Sequence, residues 1–145
     1  DFFKDVDEIW HAGDIGSLEV VHKLENLKPL KAVYGNIDDN AMRMRFREIE
    51  RFSCENIDVI MIHIGGYPGK YAKEVKKLIS EKPAQLFISG HSHILKVMYD
   101  KKLGMMHINP GAAGMSGFHV VRTAIKFIID NEDIRDLKIL EIKRG

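Results

Sequence analysis

Leu86-Phe87-Ile88-Ser89-Gly90-His91-Ser92-His93 is the stretch on which the reading of this chain turns. Leu86, Phe87 and Ile88 form a short apolar run of the kind that makes a fully buried strand. Gly90 ends the run, where a residue without a Cβ lets the backbone turn sharply or pass close to a ligand. His91 and His93 follow at i and i+2. In extended or gently turning backbone such residues project to one side, with roughly 6–7 Å between their Cα atoms. That spacing suits two metal ions about 3.5–4 Å apart, one imidazole for each. Taken alone, a His-x-His at a strand end is more often a surface pair with ordinary partners.

Three other apolar runs also end in a residue that can bind metal. Residues 6–12 read as a strand leading into Gly13-Asp14-Ile15-Gly16. Ser17 is a good N-cap, and Leu18, Val20, Val21 and Leu24 give helical spacing through Leu27. Pro29 stops that helix, and residues 30–34 read as a second strand ending in Gly35-Asn36-Ile37-Asp38. A strand-helix-strand order implies parallel pairing. Val59, Ile60, Met61 and Ile62 make a buried strand that delivers His63. Asp14 by itself could be a turn residue or helix cap, and Asn36 a plain Asn/Gly turn. Together the four strand ends place Asp14, Asn36, His63, His91 and His93 on one rim, where open α/β sheets bind ligands. One carboxylate, one amide oxygen and three imidazoles suit Mn, Fe, Ni, Co or Zn better than Mg or Ca.

The remaining chain supplies the frame. Residues 42–47 read as a loop or short helix, and 45–54 as an edge strand. Tyr67-Pro68-Gly69 is a loop, and residues 72–80 form an amphipathic helix with Val75, Leu78 and Ile79 on one face. Residues 94–99 and 103–108 read as a hairpin. Asn109-Pro110-Gly111-Ala112-Ala113-Gly114 reads as a rigid loop, and stretch 111–117 as an interface or a lid. Residues 123–130 and 137–143 are two further strands. The first half is β-α-β and the second mostly antiparallel. This is an α/β chain, α+β by some schemes, expected to pack two sheets face to face with helices outside.

Composition bounds the partners. The chain has 145 residues, 45% hydrophobic and 30% charged, which suits a single globular domain over 1–145. A formal net charge of +1 argues against a nucleic-acid polymer or an anionic membrane as partner. No window approaches the roughly 18 apolar residues of a membrane span, and no signal peptide is visible. The lone Cys54 excludes an internal disulfide and fits the cytoplasm.

In their order, Gly13-Asp14, Gly35-Asn36, His63, Gly90-His91-Ser92-His93 and Asn109-Pro110-Gly111 resemble the calcineurin-like metallophosphoesterase superfamily. The short length and the Gly-Asn-x-Asp form resemble its small bacterial and archaeal phosphodiesterases. The resemblance implies a two-sheet sandwich flanked by helices. It implies that Asp14 bridges two divalent metals (Mn, Ni, Fe or Zn), that Asn36, His63 and His91 complete one, and that His93 serves the other. It further implies hydrolysis of a small phosphoester, most simply a phosphodiester, by hydroxide bridging two metals, with Asn36 touching the transition state. A homo-oligomer is compatible with it. The family opens with a strand ending in Asp-x-His, which this sequence lacks. The chain begins at Asp1 without Met, so that strand is expected upstream and the domain is read as N-terminally truncated. Larger relatives carry a His after the Asn, thought to protonate the leaving group. Ile37 stands here instead, which favours substrates with good leaving groups. Asp38 is read either as orienting water or a ligand's neighbour, or as a turn carboxylate. The alternative function is a non-catalytic protein-binding scaffold like the phosphoesterase-like subunit of retromer. His11, His22, His107 and His119 are read as structural and outside the site.

Overall fold

The computed structural model describes residues 2–143. In chain order the elements are β1 (Ile9–His11), α1 (Leu18–Leu27), β2 (Leu30–Ala32), α2 (Asn40–Arg45), β3 (Ile49–Cys54), β4 (Ile57–Ile62), β5 (Gly66–Tyr67) and β6 (Lys70–Tyr71). Then come α3 (Lys73–Glu81), β7 (Leu86–Ser89), β8 (Leu95–Asp100), β9 (Met105–Pro110), β10 (Val121–Asp130) and β11 (Asp133–Lys143).

A mixed sheet of order β3-β4-β7-β9-β8 forms the first layer. Its central strands β4, β7 and β9 run parallel, with Ile62 level with Ser89 and Ile88 level with Ile108. The run over Leu86, Phe87 and Ile88 is buried on both faces, as its unbroken apolar character requires. One face packs on α3 through Ile60, Ile62, Phe87 and Met105 against Val75 and Ile79. The other face, through Val59, Met61, Leu86, Ile88 and Ile108, meets Trp10 of β1 and Ile125, Phe127 and Leu137 of the β10-β11 hairpin. Among the described residues the second layer comes as two units, the parallel pair β1-β2 and the antiparallel hairpin β10-β11. Outside β2, α1 and α2 close a smaller cluster of Ile15, Val21, Ala32 and Met42. The expected sandwich with outer helices is therefore the fold. No helix among the described residues is long and apolar enough to cross a membrane.

Several boundaries differ from expectation, each for a local reason. The first strand is only Ile9–His11, because ladder pairing with the second begins beyond Pro29, whose carbonyl accepts from Ile9 N. The expected 45–54 strand starts only at Ile49, since Arg45 ends α2, the short helix that was one reading of 42–47 and whose start Asp39 caps by accepting from Met42 N at 3.2 Å. The loop at Tyr67 is a tight hairpin, β5-β6. Asn109 and Pro110 belong to β9, since antiparallel pairing with β8 continues through Leu95↔Pro110 and Lys96↔Asn109. β11 starts at Asp133 rather than 137, because Asn131 takes a φ of 55° and closes a short turn.

His107 lies in the core, 1% exposed, its ring stacked on Phe87 at 5.1 Å and its Nδ1 donating to the Phe87 carbonyl at 3.2 Å. Burial pushes this imidazole down from 6.5 to about 4. An unfolded His107 takes up a proton near pH 6.5, whereas the folded one refuses it until about pH 4. Its contribution to stability is thus fully present above pH 6.5 and falls as pH drops towards 4, by up to about 1.4 kcal/mol per pH unit. Urea midpoints measured at pH 7 and pH 5 should fall more steeply for the native chain than for His107→Gln, which cannot take up a proton. Equal pH slopes would show that His107 does not set the acid sensitivity.

Candidate metal centre

β1, β2, β4 and β7 end at one rim, and the residues just beyond them turn inward there. Of the six non-glycine residues with positive φ among the described residues, three are Asp14 (57°), His91 (70°) and His93 (63°). Left-handed backbone costs a side-chain-bearing residue of order 1–3 kcal/mol and concentrates where geometry serves a ligand.

Asp14, Asn36, His63 and His91 meet. His63 Nε2 lies 3.1 Å from Asp14 Oδ2 and 3.0 Å from Asn36 Oδ1, and His91 Nδ1 lies 3.1 Å from that same amide oxygen. The His63 and His91 rings sit edge to face at 5.2 Å. His63 Nδ1 is 2.8 Å from the Ala12 carbonyl, which can only accept. That bond puts a proton on Nδ1 and leaves the Nε2 lone pair of the neutral ring facing a carboxylate and an amide oxygen. Acceptors facing acceptors need a cation among them. A proton would serve by making His63 an imidazolium, and a divalent metal would serve all the groups at once. Among the described residues no group of three or more His, Cys, Asp or Glu side chains could by itself hold a metal ion, and the cluster here includes the Asn36 amide oxygen. The mix of carboxylate, amide oxygen and imidazole fits a divalent transition metal.

Asp38 is buried at 4% exposure, and its carboxylate accepts three backbone N–H groups. Oδ2 takes Gly35 N at 2.8 Å and Ile15 N at 3.2 Å, and Oδ1 takes Gly16 N at 3.0 Å. Of the two readings of Asp38, the turn carboxylate describes only the Gly35 bond. The other two tie the Asp14 loop to the Asn36 loop. Asp14 Oδ1 adds a return bond from Ile37 N at 3.1 Å. Asn109 braces the other bank, its Nδ2 donating to the Gly90 carbonyl and to Ser92 Oγ, both at 3.1 Å.

His93 lies against His119, with their Nδ1 atoms 3.1 Å apart. His119 was expected outside the site, and nothing in its Gly117-Phe118 surroundings signals otherwise. Burial holds His93 below its ordinary value, and the neighbouring His119 adds to this. Burial likewise lowers His11, against the pull of Asp38 and Asp14, and its Nδ1 accepts from Gly13 N at 3.2 Å. Beside Asn36 and His63 opens a cleft of about 320 Å³ lined by Tyr34, Arg43, Glu48 and Ile64. The Arg43 guanidinium lies over the Tyr34 ring at 4.7 Å and donates to the Asp38 carbonyl at 2.9 Å.

Comparison with known proteins shows the family and the fold. A family model of the calcineurin-like phosphoesterase superfamily domain matches residues 1–132. A probable metallophosphoesterase of Methanothermobacter thermautotrophicus is 36% identical over 118 residues, spanning 77% of this chain. The match spans only 63% of that relative's length. Among solved structures, a novel archaeal phosphodiesterase superposes with a TM-score of 0.74 at 21% identity, covering 97% of this chain and 87% of the other. Wild-type Vps29 from Entamoeba histolytica, complexed with zinc, gives 0.72 at 17% identity, covering 95% and 82%. At such identities the two structures speak to the fold alone.

Proposed function

The chain belongs to the calcineurin-like phosphoesterase superfamily, and from that premise we propose that it is a metal-dependent phosphodiesterase acting on a small phosphodiester in the cytoplasm. The observation that carries the proposal is the meeting of Asp14, Asn36 and the His63 Nε2 lone pair within 3.1 Å, an acceptor cluster that calls for a cation. Asp14, Asn36, His63 and His91 would hold one divalent metal, with Asp14 shared and His93 serving a second. Mn, Ni, Fe or Zn suits this set. When bound, such ions lower the pKa of water towards about 7 and draw charge off phosphoryl oxygens.

The chain's own side chains do the rest. The Ala12 carbonyl fixes the tautomer and aim of His63, as the partners of ligating imidazoles do elsewhere. The Asn36 amide group stands where it can hydrogen-bond a non-bridging oxygen as negative charge builds there. Arg43, held over Tyr34, places a fixed positive charge at the edge of the cleft beside Asn36. Ile37 is 67% exposed and offers no proton to a departing alkoxide. Aryl phosphodiesters, whose leaving groups need no protonation, should therefore be the better substrates.

Bis(p-nitrophenyl) phosphate hydrolysis tests the proposal. Protein stripped with chelator and reloaded with Mn²⁺ or Ni²⁺ should turn it over, and His63→Ala should lose at least about 100-fold. Folded protein inactive with every divalent ion would point to the second reading, a protein-binding scaffold, which the likeness in fold to Vps29 favours.

A further inference from the structure

The geometry points to His119 as a further metal ligand, sharing with His93 one divalent transition-metal ion on the rim; this rests on the reading of that rim as a metal centre. His119 lies on the loop before β10, 26 residues beyond His93, yet their Nδ1 atoms stand 3.1 Å apart and their rings meet edge to face at 4.9 Å. His119 Nε2 is 2.8 Å from the Gly114 carbonyl. A carbonyl only accepts, so Nε2 carries the proton and the neutral ring turns its Nδ1 lone pair towards His93.

Two imidazole nitrogens bound to one ion at roughly 2.0–2.1 Å lie about 2.9–3.4 Å from each other, depending on the angle at the metal. The observed separation falls inside that range. The pair is also held in place from two sides. A Cβ at Gly117 would overlap the His93 ring and come within 3.1 Å of His119 Nδ1, so only glycine lets the loop press so closely on both imidazoles. His93 itself sits at a φ of 63°, which turns its ring towards this loop. Asp14, His63 and His91 are near enough to act electrostatically on His93, so the pair borders the acceptor cluster rather than a remote surface.

Co²⁺ titration of the chelator-stripped protein, followed by calorimetry and visible absorption, separates the outcomes. His119→Ala and His93→Ala should each weaken the same binding step by about 100-fold, with the double variant little worse than either single. His63→Ala should weaken a different step. His119 is only half-buried on a loop, so its variant should melt with the parent. A His119→Ala isotherm and spectrum identical to the parent's, while His63→Ala and His93→Ala lose affinity, would overturn this inference and leave the phosphodiesterase proposal standing. Folded parent protein that binds no Co²⁺ would overturn both.

Discussion

An Asp38→Asn variant is expected to lose on the order of 3 kcal/mol of stability and about 100-fold in phosphodiester turnover, although the side chain changes by one atom and touches no substrate. The carboxylate offers only acceptors, and all three of its partners are backbone donors, from Ile15, Gly16 and Gly35. An amide keeps one oxygen and turns an NH₂ group onto at least one of those N–H groups. The site is 4% exposed, so water cannot fill in for the lost acceptor. A charge-assisted bond of this kind contributes about 1.5–3 kcal/mol, and a buried donor left facing a donor costs a comparable amount. The effect on turnover follows from position. Asp14 and Asn36 sit on the two loops that Asp38 joins, and a shift of about 1 Å between them is enough to cost 100-fold in rate. Urea unfolding and bis(p-nitrophenyl) phosphate kinetics on the same preparation check both halves. Turnover and midpoint both unchanged would mean the loops keep register without this carboxylate.

What the sequence made legible, and what it hid, follows from the range of the contacts involved. The run ending at Gly90 and the β-α-β order were readable because burial on both faces demands unbroken apolar residues, and that demand is local. Asp14, Asn36, His63 and His91 were readable as a set because each lies shortly beyond the end of a strand. The role of Asp38 was only half visible. Its bond to Gly35 spans three residues and looks like a turn, whereas those to Ile15 and Gly16 span 23 and 22. The place of His119 beside His93 left no trace, since no periodicity runs through the loop that carries it. Helical spacing gives the extent of α1 but not its depth: only Val21 is buried, and Leu18 and Leu27 are 40% and 62% exposed. In β11 the start was missed because Asp136, with a φ of 54°, breaks the alternation that would have extended the strand back to Asp133.

Gly35→Ala should do comparable damage by another route. Gly35 does not need a left-handed φ, so conformational freedom is not at issue. A Cβ built there overlaps the Asp14 carboxylate and the Asp14 backbone nitrogen. The carboxylate could swing aside, but the backbone nitrogen can yield only if the whole 13–16 loop moves, and that loop is pinned by Asp38. The methyl group therefore acts as a wedge between the two loops that carry Asp14 and Asn36. Forcing extra volume into such a contact costs on the order of 3 kcal/mol, and any relief separates the groups that would share a metal. Turnover should drop by about 100-fold, together with a matching loss of Co²⁺ affinity. Gly114→Ala is the matched control, because a Cβ there meets nothing within 4 Å, the backbone is not left-handed, and Ala keeps the carbonyl that accepts from His119. It should stay within about 0.5 kcal/mol of the parent and keep its activity. Thermal melts and kinetics that place Gly35→Ala beside Gly114→Ala, rather than far below it, would show that the close passage of the two loops is not what assembles the site.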